Sequence, residues 1–515
     1  MLSFWRGNVK NIVIGKHTLE SLTSGMYSDP YVVFREYIQN AADAIDVAVQ
    51  QGVLPPCAGK INISLSPTDR RIIILDNGIG LSAQNAEQTL VSIGNSKKDA
   101  DVSRGFRGIG RLAALGYCST LIFETSAFSE EQGTRITIDA ELLAHLLTNG
   151  NGDDSTVTDV LTQICSSSHF PEKKSSHYFR VILEGVDDSS GLIDYENVKS
   201  YIAQNAPVPY NPESFIWGQE IIRRIKNEGI AIKAYDISVT YGTETVCIYK
   251  PYKDSFLVDK GKNQYDQIQD IELVKIMQDD GSISAIGWIG KTSFLGSIYD
   301  KAIKGLRLRK GNILIGDSQT LNIIFKDARF NGWSIGEIFA ISPLLIPNAR
   351  RDNFEKNTSY FYLFEHLTKY AVEITKEIRT ASLLRNKDLS AALNRVERAT
   401  TIAGKVLEDG IQHNIKSIVQ KDLIDAQEVL LQSLSNNEIE DHIREIAFDE
   451  LDMIIGKVSG ATSFKVINLL SELSNTEKRI LERVFLSIYE LDPDSAPRII
   501  YHILHTFMGG KTRDR

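Results

Sequence analysis

The stretch FREYIQNAADAID, residues 34–46, sets a carboxylate, an amide and a second carboxylate at Glu36, Asn40 and Asp43. Offsets of four and seven stack the three along one stripe of a helix. Phe34, Ile38, Ala41, Ala42 and Ile45 recur at helical spacing and give the same segment an apolar face. A polar stripe on a helix that also asks for burial suits chemistry. Glu36 can orient and deprotonate a water, and Asn40 can offer an oxygen to Mg²⁺. Downstream, RIIILDNGIGLS is an apolar strand that ends in Asp76 and continues through Gly78 and Gly80. A carboxylate at that point can accept a hydrogen bond from an adenine amino group, and the missing side chains let backbone approach the base. Further on, SIGNSKKDADVSRGFRGIGRLAALGY carries Gly105, Gly108, Ile109 and Gly110 ahead of a helical pattern. Glycines that open a helix aim free N–H groups and the positive end of its dipole at one point, which suits phosphate oxygens. Any one of these motifs is common in ordinary turns and caps. Their order and spacing together point to a nucleotide site.

The three motifs FREYIQNAADA, LDNGIG and GFRGIG resemble those of the GHKL superfamily of ATPases. Within it, GMYSDPYVVFREYIQNAADAID most resembles the first helices of the heat-shock protein 90 chaperones. The resemblance implies an ATP-binding α/β sandwich, the Bergerat fold, that works with ATP and Mg²⁺. It implies Glu36 as general base, Asn40 as the Mg²⁺ ligand with Asp43 on the same stripe, and Asp76 as the adenine contact. Gly78 and Gly80 would line the adenine pocket, and residues from about Leu81 to Gly105 would form a lid. Gly108, Ile109 and Gly110 would meet the phosphates. For the Gly-Thr strand that the family sets beside adenine there are two candidates, Gly133–Thr134 in QGTRITID and the strand at Tyr178 in SHYFRVILEG. The likeness continues in LRLRKGNILIGD and SPLLIPNARRDNFEKN, where Asn348 and Arg351 match the loop whose arginine senses the γ-phosphate. Arg350 is the rival by one residue of slippage. Glu355 stands where the family has a glutamine, and a carboxylate there is expected to pair with Arg351 at rest.

The elements that must carry these residues read as an α+β protein. KINISLS, RIIILDNG, STLIFETSA, TRITIDA and YFRVILEGV are short β-branched runs bounded by turn residues, with helical segments between them. This order fits an antiparallel sheet with helices on one face. We expect an ATP-binding domain over 1–209, a second α/β domain over 210–384 that holds the arginine loop, and an all-helical region over 385–515. LSAALNRVERATTIAGKVL, IKSIVQKDLIDAQEVLLQSL and TEKRILERVFLSIYEL carry apolar residues at helical spacing, suited to a small bundle or to dimerisation.

Composition excludes other classes. Of 515 residues, 57 are Lys or Arg and 66 are Asp or Glu, for a formal charge of −9, which argues against a general nucleic-acid coat. Lys301, Lys304, Arg307, Arg309 and Lys310 form the one basic run that could line a DNA groove, the mode of other GHKL members; a solvated strand edge is the plainer reading. Cys57, Cys118, Cys165 and Cys247 are far apart and read as reduced thiols of a cytoplasmic protein. No apolar run is long enough for a signal peptide or a membrane span. The expected function is a Mg²⁺-dependent ATPase, an ATP-driven clamp that acts as a homodimer on a client or a dedicated partner protein. A nucleotide-binding adaptor without turnover is the alternative, and Glu36 speaks against it.

Overall fold

The computed structural model describes residues 15–16, 18–19, 29–91, 110–148, 155–385, 387–409, 413–434, 451–460, 474–492 and 495–509, in two compact units, 1–375 and 376–515. The first unit is built on an eight-stranded sheet. Its strands are β1 (Lys60–Ser66), β2 (Arg71–Asp76), β3 (Thr120–Ser126), β4 (Gln132–Asp139), β5 (Cys165–Pro171), β6 (Tyr178–Glu184), β7 (Asp236–Tyr241) and β8 (Glu244–Cys247). They lie in the order β5-β4-β3-β6-β2-β1-β7-β8, antiparallel except for the β1–β7 pair. The alternation of KINISLS and RIIILD sends Ile61, Ile63, Leu65, Ile72 and Ile74 into the core. Each such side chain contributes roughly 1.5–3 kcal/mol on burial. The register that results, Ile63 opposite Ile74 and Ile61 opposite Asp76, puts Asp76 at the strand end where a loop must begin.

Helix α1 (Val32–Gln50) packs on this sheet through Phe34, Ile38, Ala41, Ala42 and Ile45, the expected apolar face. Burial goes further round than that face, because Arg35, Glu36, Gln39 and Asp43 are also shut off from solvent. GRLAALGY, expected as an α-helix, forms a 3₁₀ helix over Gly110–Gly116. β5 has no counterpart in the sequence reading. CSSSHFP is an edge strand, mostly exposed, and needs no apolar alternation to pair along one side only. The sheet also runs past residue 209, since β7 pairs in parallel with β1 through Lys60–Asp236 to Leu65–Tyr241.

The same unit holds a five-stranded sheet of β11 (Asp270–Met277), β12 (Ile283–Lys291), β13 (Gly305–Lys310), β14 (Ile313–Ile315) and β15 (Ile335–Ala340), after a two-stranded pair of β9 (Ser255–Asp259) and β10 (Gln264–Gln267). Its order is β11-β12-β15-β13-β14. β15 is buried along its whole length. It delivers the chain into a tight loop closed by Glu355 N–H donating to the Ile346 carbonyl at 2.8 Å and Asn348 N–H to the Asn353 carbonyl at 2.9 Å. Arg351 sits at the tip of that loop.

The described residues of the second unit are almost all helical, in the end of Thr358–Arg385 and in Lys387–Asp409, His413–Leu434, residues 451–460, Asn475–Leu491 and Ala496–Gly509. Ala399, Ala403, Leu423, Ala426, Leu430, Leu451, Phe485 and Ile500 form one core, so these helices bury their apolar stripes against each other. Among the described residues no helix is long and apolar enough to cross a membrane.

Candidate active site

Helix α1 and the loop after β2 are locked together by backbone. Ile79 N–H donates to the Ala44 carbonyl at 3.1 Å, and a side chain at Gly78 would strike the Ala44 Cβ at 2.6 Å. Only glycine allows that approach. Gly78 N–H in turn donates to Asp76 Oδ1 at 2.8 Å, which fixes the carboxylate at the strand end. Asn77 anchors the far side, accepting from Lys60 N–H at 2.7 Å and donating to the Ala58 carbonyl at 2.9 Å. Gly80 has φ +66°, and a Cβ there would lie 1.9 Å from the Ser126 carbonyl oxygen, so the loop lies directly on the end of β3. Leu81 N–H donates to Thr125 Oγ1 at 2.8 Å, and a His177 Nδ1–Gly78 carbonyl contact of 2.9 Å completes the fastening. Asp76 therefore stands on a rigid platform beside α1.

The phosphate motif reaches α1 one to two turns nearer the helix N-terminus. Tyr37 hydroxyl donates to the Arg111 carbonyl at 2.8 Å, and Arg111 Nη1 donates to the Thr89 carbonyl. These contacts bring Gly110 so close that a Cβ on it would stand 2.1 Å from Glu36 Oε2. The carboxylate and the end of the glycine motif thus share one small space.

The third side of that space comes from more than 300 residues away. Arg351 Nε is 3.1 Å from Glu36 Oε1, and Arg351 Nη1 donates to Gln39 Oε1. Arg35 Nη2 donates to the Arg350 carbonyl at 2.9 Å, which clamps the loop backbone on the helix. Arg351 is held at φ +57°, a left-handed conformation costly for a side-chain-bearing residue. Its neighbours compensate, with Arg351 N–H donating to the Asn348 carbonyl at 3.1 Å and Gly316 N–H to the Arg351 carbonyl at 2.8 Å. Three polar atoms in this pocket, Arg35 Nε, Glu36 Oε1 and Gln39 Nε2, are buried with no hydrogen-bond partner among the described residues, although Glu36 Oε1 is ion-paired with Arg351. Buried polar atoms are rarely left so. An acceptor beside a cation, an amide donor and a side-chain-free approach at Gly110 together fit a hydrated, anionic phosphate group. Asn40, one turn further along α1 and partly accessible, is the residue of the stripe whose side-chain oxygen could hold a metal ion.

Residues 27–150 match the family model described as histidine kinase-, DNA gyrase B- and HSP90-like ATPase. The chain carries an HSP90-like ATPase domain. It is similar to the chaperone protein HtpG of Acinetobacter baylyi, 26% identical over 278 residues that cover 51% of this chain and 40% of that protein. It is also similar to HtpG of Halalkalibacterium halodurans, at 27% over 134 residues (23% of this chain, 21% of that protein), and of Mesorhizobium japonicum, at 35% over 92 residues (17% and 15%). The matched segments thus span two fifths or less of these relatives' own length.

The structure brings Glu36 and Gly110 of the matched segment together with Arg351 from outside it, and sets Asp76, Gly78 and Gly80 on the platform next to them. Asn40 and Asp43 follow Glu36 along α1. Gly105, Gly108 and Ile109, and the part of the expected lid beyond Val91, lie outside the described residues. Thr134 lies far from Asp76. Asp76 faces Phe179 on β6, Phe179 faces Thr125 on β3, and Thr125 faces Thr134 on β4. Three strand spacings, roughly 14 Å, separate Thr134 from Asp76, and its hydroxyl is 3.2 Å from His169 Nδ1 on the other side. The strand next to Asp76 is β6, the one containing Tyr178. Arg350, the rival arginine, is largely exposed and pairs with Asp352 at 3.3 Å. A carboxylate against Arg351 is that of Glu36, at 3.1 Å from its Nε.

The basic run is also corrected. Arg307 and Arg309 are only 4% and 1% exposed, so they face the core of the five-stranded sheet and cannot line a DNA groove. The sequence reading missed Arg35, Gln39, Thr125 and His177. Gln39 stands next to the polar stripe, but its partner is 312 residues away. Nothing local in the sequence marks such a contact.

Proposed function

We propose that the chain is a Mg²⁺-dependent ATPase that works as an ATP-driven conformational clamp, an HSP90-like chaperone or a relative with one dedicated protein partner. The observation that carries this reading is the Arg351–Glu36–Gln39 contact, because it joins the loop after β15 to the nucleotide helix at the point where a γ-phosphate fits. The division into residues 1–209, 210–384 and 385–515 is part of the proposal, with β7 and β8 of the second stretch completing the first sheet, as are a homodimer formed with the help of the C-terminal helices and a cytoplasmic setting.

Each residue then has a defined task. Asp76, oriented by Gly78 N–H, accepts from the adenine amino group. Gly78 and Gly80 admit the base, while Gly108, Ile109 and Gly110 offer backbone N–H groups to the phosphates. Glu36 takes the proton of the attacking water. Asn40, with Asp43 behind it, offers an oxygen to Mg²⁺, which when bound screens the charge of the phosphate oxygens. Arg351 leaves the Glu36 carboxylate for the γ-phosphate and stabilises charge that develops there. A side chain that alternates between these two partners couples nucleotide state to the second α/β region.

Steady-state ATP hydrolysis with Mg²⁺, alongside direct nucleotide binding, tests the reading. Glu36→Ala and Arg351→Ala are expected to bind ATP and lose turnover by roughly a hundredfold or more, in line with removal of a general base or a transition-state cation. Arg350→Ala, whose side chain makes only a surface pair, is expected to stay within about twofold of the parent. Binding without turnover in the parent, or unchanged turnover in Glu36→Ala, would overturn the catalytic assignment and favour an adaptor.

A further inference from the structure

A second group of charges lies deep in the same unit and touches neither Glu36 nor Arg351. The side chains of Lys250, Arg309 and Glu337 are 1%, 1% and 0% exposed. Lys250 Nζ donates to Glu337 Oε2 at 2.6 Å and to Asn312 Oδ1 at 2.8 Å. Arg309 Nε donates to Glu337 Oε1, and the Tyr210 hydroxyl donates to Glu337 Oε2 at 2.5 Å. Trp288 Nε1 donates to the Tyr210 hydroxyl at 2.9 Å. Taking three ions out of water costs several kcal/mol each, and apolar residues of similar volume commonly stabilise a core as well. Stability alone therefore gives no reason for this arrangement. Direction does.

The two remaining nitrogens of Arg309 reach opposite ways. Nη2 donates to the Gln204 carbonyl at 2.8 Å, in the last turn of the helix Tyr195–Asn205. That helix lies beside the start of α1, where the rings of Tyr201 and Tyr31 stack at 5.4 Å. Nη1 donates to the Asn312 carbonyl at 3.1 Å, one residue before β14. Asn312 Nδ2 is itself tied to the Lys233 carbonyl at 2.9 Å. One residue beyond the other end of β14, Gly316 N–H holds the Arg351 carbonyl at 2.8 Å. One buried guanidinium thus connects the layer that carries Glu36 to the strand that carries the backbone of Arg351.

We infer that the Lys250–Arg309–Glu337 cluster is a positioning joint that sets the placement of Arg351 relative to Glu36. The inference rests on the hydrolytic reading of those two residues. The cluster fixes a short lever, Asn312 through Gly316, and Arg351 moves with the lever's far end. A fork with two carbonyl contacts resists rotation, which an apolar core of the same volume would not.

Arg309→Met and Lys250→Met each leave one cation against Glu337, a neutral pair with no uncompensated buried charge, so both variants are expected to fold. ATP affinity, kcat and hydrogen exchange of residues 313–317 and of β1 are measured on the full chain. Arg309→Met is expected to bind ATP within about twofold of the parent while kcat falls roughly ten- to a hundredfold, because displacement by about 1 Å is enough for such a loss. Exchange at Gly316 should accelerate with β1 unchanged, and Lys250→Met, which keeps the carbonyl contacts of Arg309, should show a smaller loss of the same kind. Parent-like exchange at Gly316, an unchanged kcat, or loss of protection across β1 in both variants would overturn the inference, the last by making the cluster purely structural. If the parent binds ATP without hydrolysing it, the hydrolytic reading fails, and exchange at Gly316 alone then decides whether the joint exists.

Discussion

Gly110→Ala isolates the geometry of the proposed active site from the stability of the fold. The added methyl group would lie 2.1 Å from Glu36 Oε2 and 3.0 Å from Glu36 Cδ, whereas ordinary contact begins at 3.4 Å. The carboxylate must therefore retreat by more than about 1 Å, which is the scale on which a misplaced catalytic group costs about a hundredfold in rate. That loss corresponds to about 2.7 kcal/mol of transition-state stabilisation. The fold should tolerate it. The clashing atom ends a flexible side chain, Gly110 opens a 3₁₀ helix, and its φ is not among the positive ones. The assay is steady-state ATP hydrolysis with thermal unfolding measured in parallel, on Gly110→Ala, Glu36→Ala and the double variant. Expected are a kcat lower by about two orders of magnitude in Gly110→Ala, an unfolding temperature close to the parent, and a double variant no slower than Glu36→Ala alone. Residues that act through one contact are non-additive in this way. Full turnover in Gly110→Ala, or a further loss in the double variant, would refute the proposed dependence on Glu36.

Two other outcomes are expected. Gly80→Ala should behave in the opposite manner, because φ +66° and a Cβ placed 1.9 Å from the Ser126 carbonyl oxygen both set backbone against backbone. The left-handed conformation alone costs about 1–2 kcal/mol, so a clearly lowered unfolding temperature with weakened ATP binding is expected, and a parent-like melt would show that the loop does not need this conformation. The buried cluster should give stability a distinct pH dependence. Burial, reinforced by Arg309, lowers Lys250 to about 7 from its ordinary 10.5, so between these values the unfolded chain binds the extra proton and stability rises with pH. Burial opposes ionisation of Glu337, yet Arg309 and Lys250 prevail and hold it at about 2 against an ordinary 4.5. Its contribution is present above 4.5 and is lost as pH falls toward 2. Urea unfolding midpoints across pH 3 to 10 check both, and Lys250→Met should remove the rise between 7 and 10 and reduce the acid limb without abolishing it, because Arg309 still faces Glu337.

The sequence by itself determined what depends on near neighbours. The period of FREYIQNAADAID fixed both the buried face of α1 and the alignment of Glu36, Asn40 and Asp43. The alternation in KINISLS and RIIILD fixed the β1–β2 pair and left Asp76 at a strand end. The glycines of LDNGIG marked a close approach of backbone, which proved to be against Ala44 and Ser126. Tertiary structure alone decided the rest. A period does not register a slip of one residue in an irregular loop, so only the folded loop, with its left-handed turn at residue 351, placed Arg351 rather than Arg350 on Glu36. Strand order, which no local pattern encodes, put β3 and β6 between Thr134 and Asp76. The basic look of LRLRK suggested a surface, but Glu337, on a strand 28 residues from Arg309, supplied a buried partner for that arginine. Charge on a sequence shows that a counter-charge or water is required, and only the packing of distant strands determines which of the two it meets.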